Sequence, residues 1–97
     1  MITSKQRAYL KGLANNLDPV LQIGKKGITD NFIRQVDQIL ENKELIKINV
    51  LKNSFQEADH MAIELSEKLN AEFVQTIGNK FVIYRESEEN KIIQLPK

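Results

Sequence analysis

The order of apolar patterns along the chain predicts an α/β fold in which helices cover a mixed four-stranded sheet. Three observations lead to this prediction. Stretches with helical spacing alternate with short β-branched runs, the last two runs flank a Gly-Asn pair typical of a tight hairpin, and 97 residues suffice for one core. The predicted order is helix, strand, helix, strand, helix, strand, strand, and we expect residues 1–97 to form a single domain.

The first helix is predicted to begin at Thr3 and to end near Leu17. Thr3 and Gln6 have the spacing of a capping box, and an apolar stripe follows at helical spacing, made by Leu10, Leu13, Ala14 and Leu17. A proline follows at position 19 and disfavours further helix before it. The short apolar run 20–23, bounded by proline and glycine, then predicts a buried strand.

The second helix and strand follow from two different periodicities. The helix is predicted by one apolar face, made by Phe32, Ile33, Val36, Ile39 and Leu40. In the run 45–51, Ile46, Ile48 and Val50 alternate with Lys47 and Asn49. This alternation is expected of a strand when one face of the sheet is covered more completely than the other.

The third helix is predicted between a second capping box, Ser54 with Glu57, and a stop at Asn70. Its apolar face is made by Ala58, Met61, Ala62, Leu65 and Leu69. Residues 73–77 and 81–85 predict two antiparallel strands joined by Gly78-Asn79. The acidic stretch 86–90 is expected to be a solvated loop, and residues 92–95 to add a short strand or to cover the core.

Composition excludes several classes of function. The chain contains no cysteine and one histidine, so disulfides, thiolate chemistry and the usual zinc sites cannot form. No stretch approaches the roughly 18 apolar residues of a membrane span, and no long apolar run follows the N-terminus. We therefore expect a cytoplasmic protein without cofactor, metal or small-molecule substrate.

The single histidine offers little for catalysis. His60 falls at one-turn spacing from Glu57 and Glu64, which leaves open a weak metal site or a small hydrolase. An exposed histidine among carboxylates on a solvated helix face is the better interpretation, because no nucleophile or acid/base pair stands out. We expect no enzymatic activity.

The net charge of +1 conceals an asymmetry between the two halves of the chain. Residues 1–53 contain nine Lys and Arg against five acids, which gives +4, whereas residues 54–97 contain five against eight, which gives −3. If the partner is a polyanion, the N-terminal half is therefore expected to contact it.

One local motif has a physical mechanism, the tetrapeptide Gly24-Lys25-Lys26-Gly27 between the first strand and the second helix. Glycines allow a sharp turn and a close approach of phosphate to backbone amides. The following helix N-terminus also favours an anion, and the two lysines supply mobile positive charge. A tight turn with surface lysines is the alternative.

The spacing of this motif distinguishes it from other glycine-rich loops. A nucleotide P-loop needs two more residues between its glycines and a following Lys-Ser/Thr pair, and a dinucleotide fingerprint needs a third glycine. The element order and the run 79–84 also differ from an RRM. KH domains use a G-x-x-G loop to clamp single-stranded RNA, and the same device would work on a different scaffold.

The whole chain resembles the CRM domain, the YhbY-like family of RNA-binding proteins. The resemblance rests on segments in the same order along the chain: residues 3–7, 10–14 and 17–20, the run Ile23-Gly24-Lys25-Lys26-Gly27-Ile28-Thr29, then residues 44–48, 75–79, 84–85 and 93–97. It implies a core topology similar to that of the C-terminal domain of bacterial translation initiation factor three. In chloroplast relatives, the same domain serves intron splicing.

The resemblance also implies a function. It indicates a stand-alone bacterial protein that associates with the precursor of the large ribosomal subunit and assists assembly by binding ribosomal RNA. The family's functional loop corresponds to Gly24, Lys25, Lys26 and Gly27, the residues that the physical argument selects independently.

Further candidates flank the loop. Arg7 and Lys11, four residues apart on the first helix, are candidates for RNA binding. Lys5, Lys47 and Lys52 either border the same surface or are solvated lysines. The alternative function is that of an adaptor that binds a ribosomal protein or assembly factor through the acidic face of the third helix.

Overall fold

A computed structural model describes residues 2–51 and 57–97 of the chain. Its helices and strands occur in the predicted order: α1 (Ser4–Ala14), β1 (Leu21–Ile23), α2 (Asp30–Lys43), β2 (Leu45–Val50), α3 (Ala58–Leu69), β3 (Glu72–Ile77) and β4 (Lys80–Tyr84). No strand forms after β4 in the described residues, and the C-terminal segment instead covers the core.

The four strands form one mixed sheet in the order β1-β2-β4-β3. β1 pairs with β2 in parallel, and β4 pairs antiparallel with both β2 and β3. Because β2 and β3 both pair antiparallel with β4, which lies between them, they run in the same direction without touching. The predicted mixed four-stranded sheet is confirmed.

The two faces of the sheet are covered by different elements. Helices α2 and α3 lie on one face, where the larger core contains Phe81 together with the alternating Ile46, Ile48 and Val50 of β2. Helix α1 and the C-terminal segment cover the other face, through a smaller cluster of Leu10, Ala14, Leu45, Val74, Val82 and Tyr84. The sheet is therefore the middle of three layers.

The helix ends follow the local sequence with two exceptions: α1 ends at Ala14, three residues before the predicted Leu17, and α3 has an N-cap other than the predicted one. The predicted capping box of α1 is present, with Gln6 N donating to Thr3 Oγ1 at 3.1 Å and Thr3 N donating to Gln6 Oε1 at 3.0 Å. Asn70 ends α3 in the left-handed conformation, at φ 55°. The N-cap of α3 is Glu57, which makes no side-chain cap hydrogen bond. Ser54, the predicted cap, lies outside the described residues.

A buried carboxylate fixes the C-terminal segment to the rest of the fold. Glu44 is fully buried at the end of α2, at φ 67°. Its Oε2 accepts a hydrogen bond from Ser87 N at 2.7 Å, and its Oε1 accepts from Ile92 N at 2.7 Å and Ile93 N at 2.8 Å. The prediction of a solvated loop over 86–90 is therefore wrong at Ser87, which is buried because its amide must meet this carboxylate.

A second carboxylate from α2 holds the same segment from the solvent side. Glu41 accepts hydrogen bonds from Ser87 Oγ at 2.7 Å and from the amides of Glu88 and Glu89, each at 3.1 Å. The hydrogen bond from Ser87 is the main reason why the pKa of Glu41 lies below its usual value, and the two amides lower it further. The acidic loop is thus hydrogen-bonded to the C-terminal end of α2.

Opposing effects act on the pKa of Glu44. Burial of the carboxylate raises the pKa, whereas the hydrogen bonds from Ile93, Ser87 and Ile92 lower it, and the net pKa lies below the ordinary 4.5. The charged form is therefore favoured in the folded chain, and it stabilises the fold wherever the unfolded chain would also be ionised.

The described ranges, 2–51 and 57–97, contain no helix with both the length and the apolar character needed to cross a membrane.

We expect Glu44→Gln to lower the free energy of unfolding by roughly 2 kcal/mol at neutral pH, because a carboxamide leaves one buried amide without an acceptor. A folded-state pKa below 4.5 means that this stabilisation is complete above pH 4.5 and is lost as the pH falls through the folded-state value. Urea unfolding of both proteins should therefore show the difference shrinking in acid. Glu67→Gln, an exposed change on α3, serves as the control, and equal stability of Glu44→Gln and the wild type at neutral pH would contradict the assignment.

Candidate nucleic-acid interface

The loop between β1 and α2 forms a closed turn with two lysines at its tip. Gly27 N donates to Gly24 O at 3.1 Å, so the turn spans the whole tetrapeptide. Lys25 and Lys26 are exposed, whereas Gly27 is buried and has a φ of 72°. A residue with a side chain rarely adopts this φ, so the closing glycine is required by the backbone.

Only some of the backbone amides around the turn have a hydrogen-bond acceptor within the described residues. Among the described residues, the amides of Lys25, Lys26 and Ile28 donate to no protein acceptor. Helix α2 begins with its own cap, since Phe32 N donates to Thr29 Oγ1 at 3.1 Å. Its first turn also carries the carboxylate of Asp30. The free donors and positive charge therefore belong to the turn more than to the helix N-terminus.

The turn follows the C-terminal end of β1, where hydrogen bonds join neighbouring strands. Leu51 N donates to Ile23 O at 3.0 Å, which ties the end of β1 to the chain after β2. At the same edge, Val50 N donates to Asn79 O at 2.7 Å and Asn79 Nδ2 donates to Val50 O at 2.9 Å. The β3–β4 hairpin turn is thus held next to the ends of β1 and β2. The lysine turn follows strand ends that are hydrogen-bonded to their neighbours.

Arg7 lies away from this turn. Its Nε donates to Phe73 O at 3.2 Å, at the start of β3, and the side chain is half-buried. β3 and β1 are the two outer strands of the sheet, and Phe73 lies near the opposite end of the strands from Gly24. Strand spacing and rise place these two residues roughly 20 Å apart. Lys11 lies one turn further along α1 and is exposed.

Two other lysines lie close together on the sheet. Lys47 of β2 and Lys80 of β4 occupy diagonal positions on the face that α1 partly covers, since Lys47 pairs with Val82 and Lys80 with Asn49. Sequence reasoning singled out Lys47 but missed Lys80. The alternation of the run 80–84, in which Phe81 and Ile83 face the larger core, places Lys80 on the opposite face, and the pairing of β2 with β4 brings it beside Lys47. Lys52 lies outside the described residues.

The histidine lies on an open surface. His60 is exposed on α3, in a shallow recess also lined by Glu57, Asp59, Ile63, Glu64 and Glu67. No group of three or more His, Cys, Asp or Glu side chains in the part of the chain that the structure describes is arranged to hold a metal ion.

Comparison with known proteins is consistent across sequence and structure. A Bacillus subtilis protein named "Probable RNA-binding protein YqeI" is 45% identical over 99% of this chain and 100% of its own length. A Haemophilus influenzae protein named "RNA-binding protein" is 38% identical over 99% of this chain and 96% of its own length. The solution structure of Staphylococcus aureus SAV1595, which has been proposed to bind RNA, shares 55% identity and a TM-score of 0.83, covering 99% of this chain and all of that one.

The family comparison agrees with these relatives and with the three-layer fold. The model of the CRS1 / YhbY (CRM) domain matches residues 2–85, which span every helix and strand of the structure. The chain belongs to the CRS1 / YhbY (CRM) domain family.

Proposed function

We propose that this protein binds ribosomal RNA of the precursor large subunit and assists its assembly in the cytoplasm, without catalysing a reaction. The Gly24–Gly27 turn contacts the phosphate backbone, and residues 1–97 act as one RNA-binding domain. The relatives named above as RNA-binding proteins support the class of ligand. The observation that carries the proposal is an exposed turn at the end of β1 that has two lysines and three backbone amides without an acceptor among the described residues.

Charge supports the turn as the phosphate site. Within the described ranges, neither Lys25 nor Lys26 lies within 4 Å of a carboxylate, so both ammonium groups are available to an external anion. The amides of Lys25, Lys26 and Ile28 add uncharged donors that can approach a phosphate oxygen closely, because the flanking glycines carry no side chains.

The same geometry argues for weak dependence on RNA sequence at the turn. Phosphate contacts fix the position of a protein on RNA but do not read bases. The tip of the turn presents lysines and backbone groups and has no aromatic ring on which a base could stack. Binding through the turn should therefore weaken as salt rises, with a slope of about −0.7 in log K against log salt for each neutralised phosphate.

We expect Lys25→Glu/Lys26→Glu to weaken binding to a ribosomal RNA fragment by at least about tenfold at 0.1 M salt and to make the salt dependence shallower by about 1.4. Filter binding over a salt series measures both effects. The matched control is Lys68→Glu/Lys97→Glu, which makes the same change in net charge at exposed positions outside the turn. In cells, the first variant should be lost from precursor large subunits in sucrose gradients and the second retained.

Two outcomes would contradict the proposal in different ways. Equal loss of affinity in both variants would mean that only net charge matters and that the turn is not a site. Full retention of the first variant on precursor subunits would favour the adaptor alternative, in which a protein partner contacts the acidic face of α3.

The two glycines of the turn should respond differently to alanine. Gly27→Ala places a side chain at φ 72° and should cost about 1–2 kcal/mol of stability, whereas the Cβ added by Gly24→Ala would meet Leu51 Cδ1 at an ordinary 3.7 Å. Thermal unfolding checks this contrast. Because Gly27→Ala keeps both lysines but distorts the turn, it should also weaken RNA binding more than Gly24→Ala does. Equal affinities of the two variants would show that turn geometry is not required.

A further inference from the structure

One end of the sheet is open on the face that carries α1. Helix α1 and the C-terminal segment cover the end formed by Leu45, Val74 and Tyr84. At the other end, a recess of about 340 Å³ lies between the chain that follows α1 and the strands, lined by Leu17, Asp18, Pro19, Lys47, Ile77, Lys80 and Val82. A wider groove, which shares Pro19 and Lys80 with the recess, continues from it over Gln22 and Asn49.

The charges at this open end favour an anion. Lys47 and Lys80 both line the recess, and neither ammonium group lies within 4 Å of a carboxylate in the described parts of the chain. Asp18 is the one acid among the lining residues, so the recess has a net positive charge. Two lysines on adjacent strands form a fixed pair, because their backbones are held in register by the sheet.

The uncharged groups of the open end suit a nucleotide base. Ile77 is 52% exposed and, with Leu17 and Pro19, offers an apolar surface beside the lysines, whereas Val82 is buried beneath them. On the neighbouring strands, Asn49 Nδ2 donates to Gln22 Oε1 at 3.0 Å. Within residues 2–51 and 57–97, the carboxamide oxygen of Asn49 and the NH₂ group of Gln22 make no other hydrogen bond, and such groups can pair with base edges.

The open end is continuous with the lysine turn. Gln22 precedes Gly24 by two residues, a distance of about 7 Å along a strand. Asn49 and Lys80 pair at the same end of the strands, next to the hairpin turn that is hydrogen-bonded to β2. A strand of RNA held at the turn can therefore pass directly onto the sheet without leaving the protein surface.

Building on the proposed function, we propose that the open half of the sheet is a second RNA subsite that takes the bases of a single-stranded segment leaving the Gly24–Gly27 turn. Lys47 and Lys80 hold its phosphates, Ile77 contacts a base, and the Gln22–Asn49 pair contacts base edges. A duplex does not fit this role, because its base edges face inward and splayed bases are needed to reach the recess.

The first test uses the unmodified protein. In an NMR titration with a short single-stranded oligouridylate or oligoadenylate, the signals of Lys47, Asn49 and Ile77 should shift together with those of the turn. Ile63, exposed on α3, serves as the control and should stay unchanged. An abasic ribose-phosphate oligomer should shift the signals of the turn but lose the effect at Ile77. Shifts confined to the turn with every oligomer would overturn the proposal while leaving the proposed function intact.

The second test uses the paired lysines. Lys47→Gln/Lys80→Gln should weaken binding of the oligouridylate about five- to 25-fold at 0.1 M salt and make the salt slope shallower by about 0.7 to 1.4, which corresponds to one or two phosphates. Lys43→Gln/Lys68→Gln is the matched control at exposed helix ends. Circular dichroism verifies that each variant is folded. If Lys47→Gln/Lys80→Gln does not fold, the NMR titration of the wild type still tests the proposal.

The results separate the two proposals. If the wild type and Lys47→Gln/Lys80→Gln bind equally, while Lys25→Glu/Lys26→Glu binds weakly, the sheet subsite is wrong and the turn remains the site. If the wild type binds no RNA at all, the proposed function itself fails.

Discussion

The buried carboxylate of Glu44 determines which half of the sheet is covered and which half is open. Its three amide partners lie 43 to 49 residues further along the chain, and they hold the segment from Ser87 to Ile93 against one end of the α1 face. Gln6 Nε2 adds a bond to Pro96 O at 2.9 Å, which joins α1 to the same segment. A buried carboxylate is costly unless it is fully hydrogen-bonded, so the segment cannot be displaced without leaving that charge unsatisfied. The covering layer is therefore confined to one end, and the lysines of the sheet stay accessible at the other.

The two faces of the sheet consequently serve different purposes. The face under α2 and α3 is continuous and apolar, from Ile23 on the outer strand to Phe81 near the centre, and it supplies most of the buried area that stabilises the fold. It also fixes both ends of the Gly24–Gly27 turn, because β1 and α2 both contribute to that core. The opposite face needs only a small cluster, which leaves strand positions such as Lys47 and Asn49 free for polar residues. Stability and recognition are in this way assigned to opposite sides of the same strands.

The difference between local and long-range interactions explains how much of the molecule the sequence could predict. Helices and strands depend on local spacing, so the order of elements, the capping box at Thr3, the stop at Asn70 and the hairpin at Gly78 are all confirmed. The alternation in β2 even indicated a sheet covered unequally on its two faces. The partners of a carboxylate more than forty residues away leave no local pattern, and Ser87 was therefore expected in solvent. The partner of Arg7 leaves no local pattern either, since helix spacing does not reveal that its guanidinium donates to the carbonyl of Phe73. Strand alternation places Lys80 on the face opposite the larger core, but only the pairing of β2 with β4 brings it beside Lys47.

The proposed pair of subsites also accounts for how so small a basic surface could hold RNA. Two lysines at a turn neutralise at most about two phosphates, and the nearby amides add only uncharged donors. Such contacts alone are weak and sensitive to salt. A second subsite joined to the first by a short stretch of strand changes this balance, because a nucleotide chain bound at the turn is held at high effective concentration over the sheet. Contacts to bases there are less sensitive to salt than contacts to phosphate and differ between paired and splayed RNA. The turn would then supply position and the open sheet selectivity for unpaired segments, which are abundant in an RNA that has not yet folded and are withdrawn as it pairs.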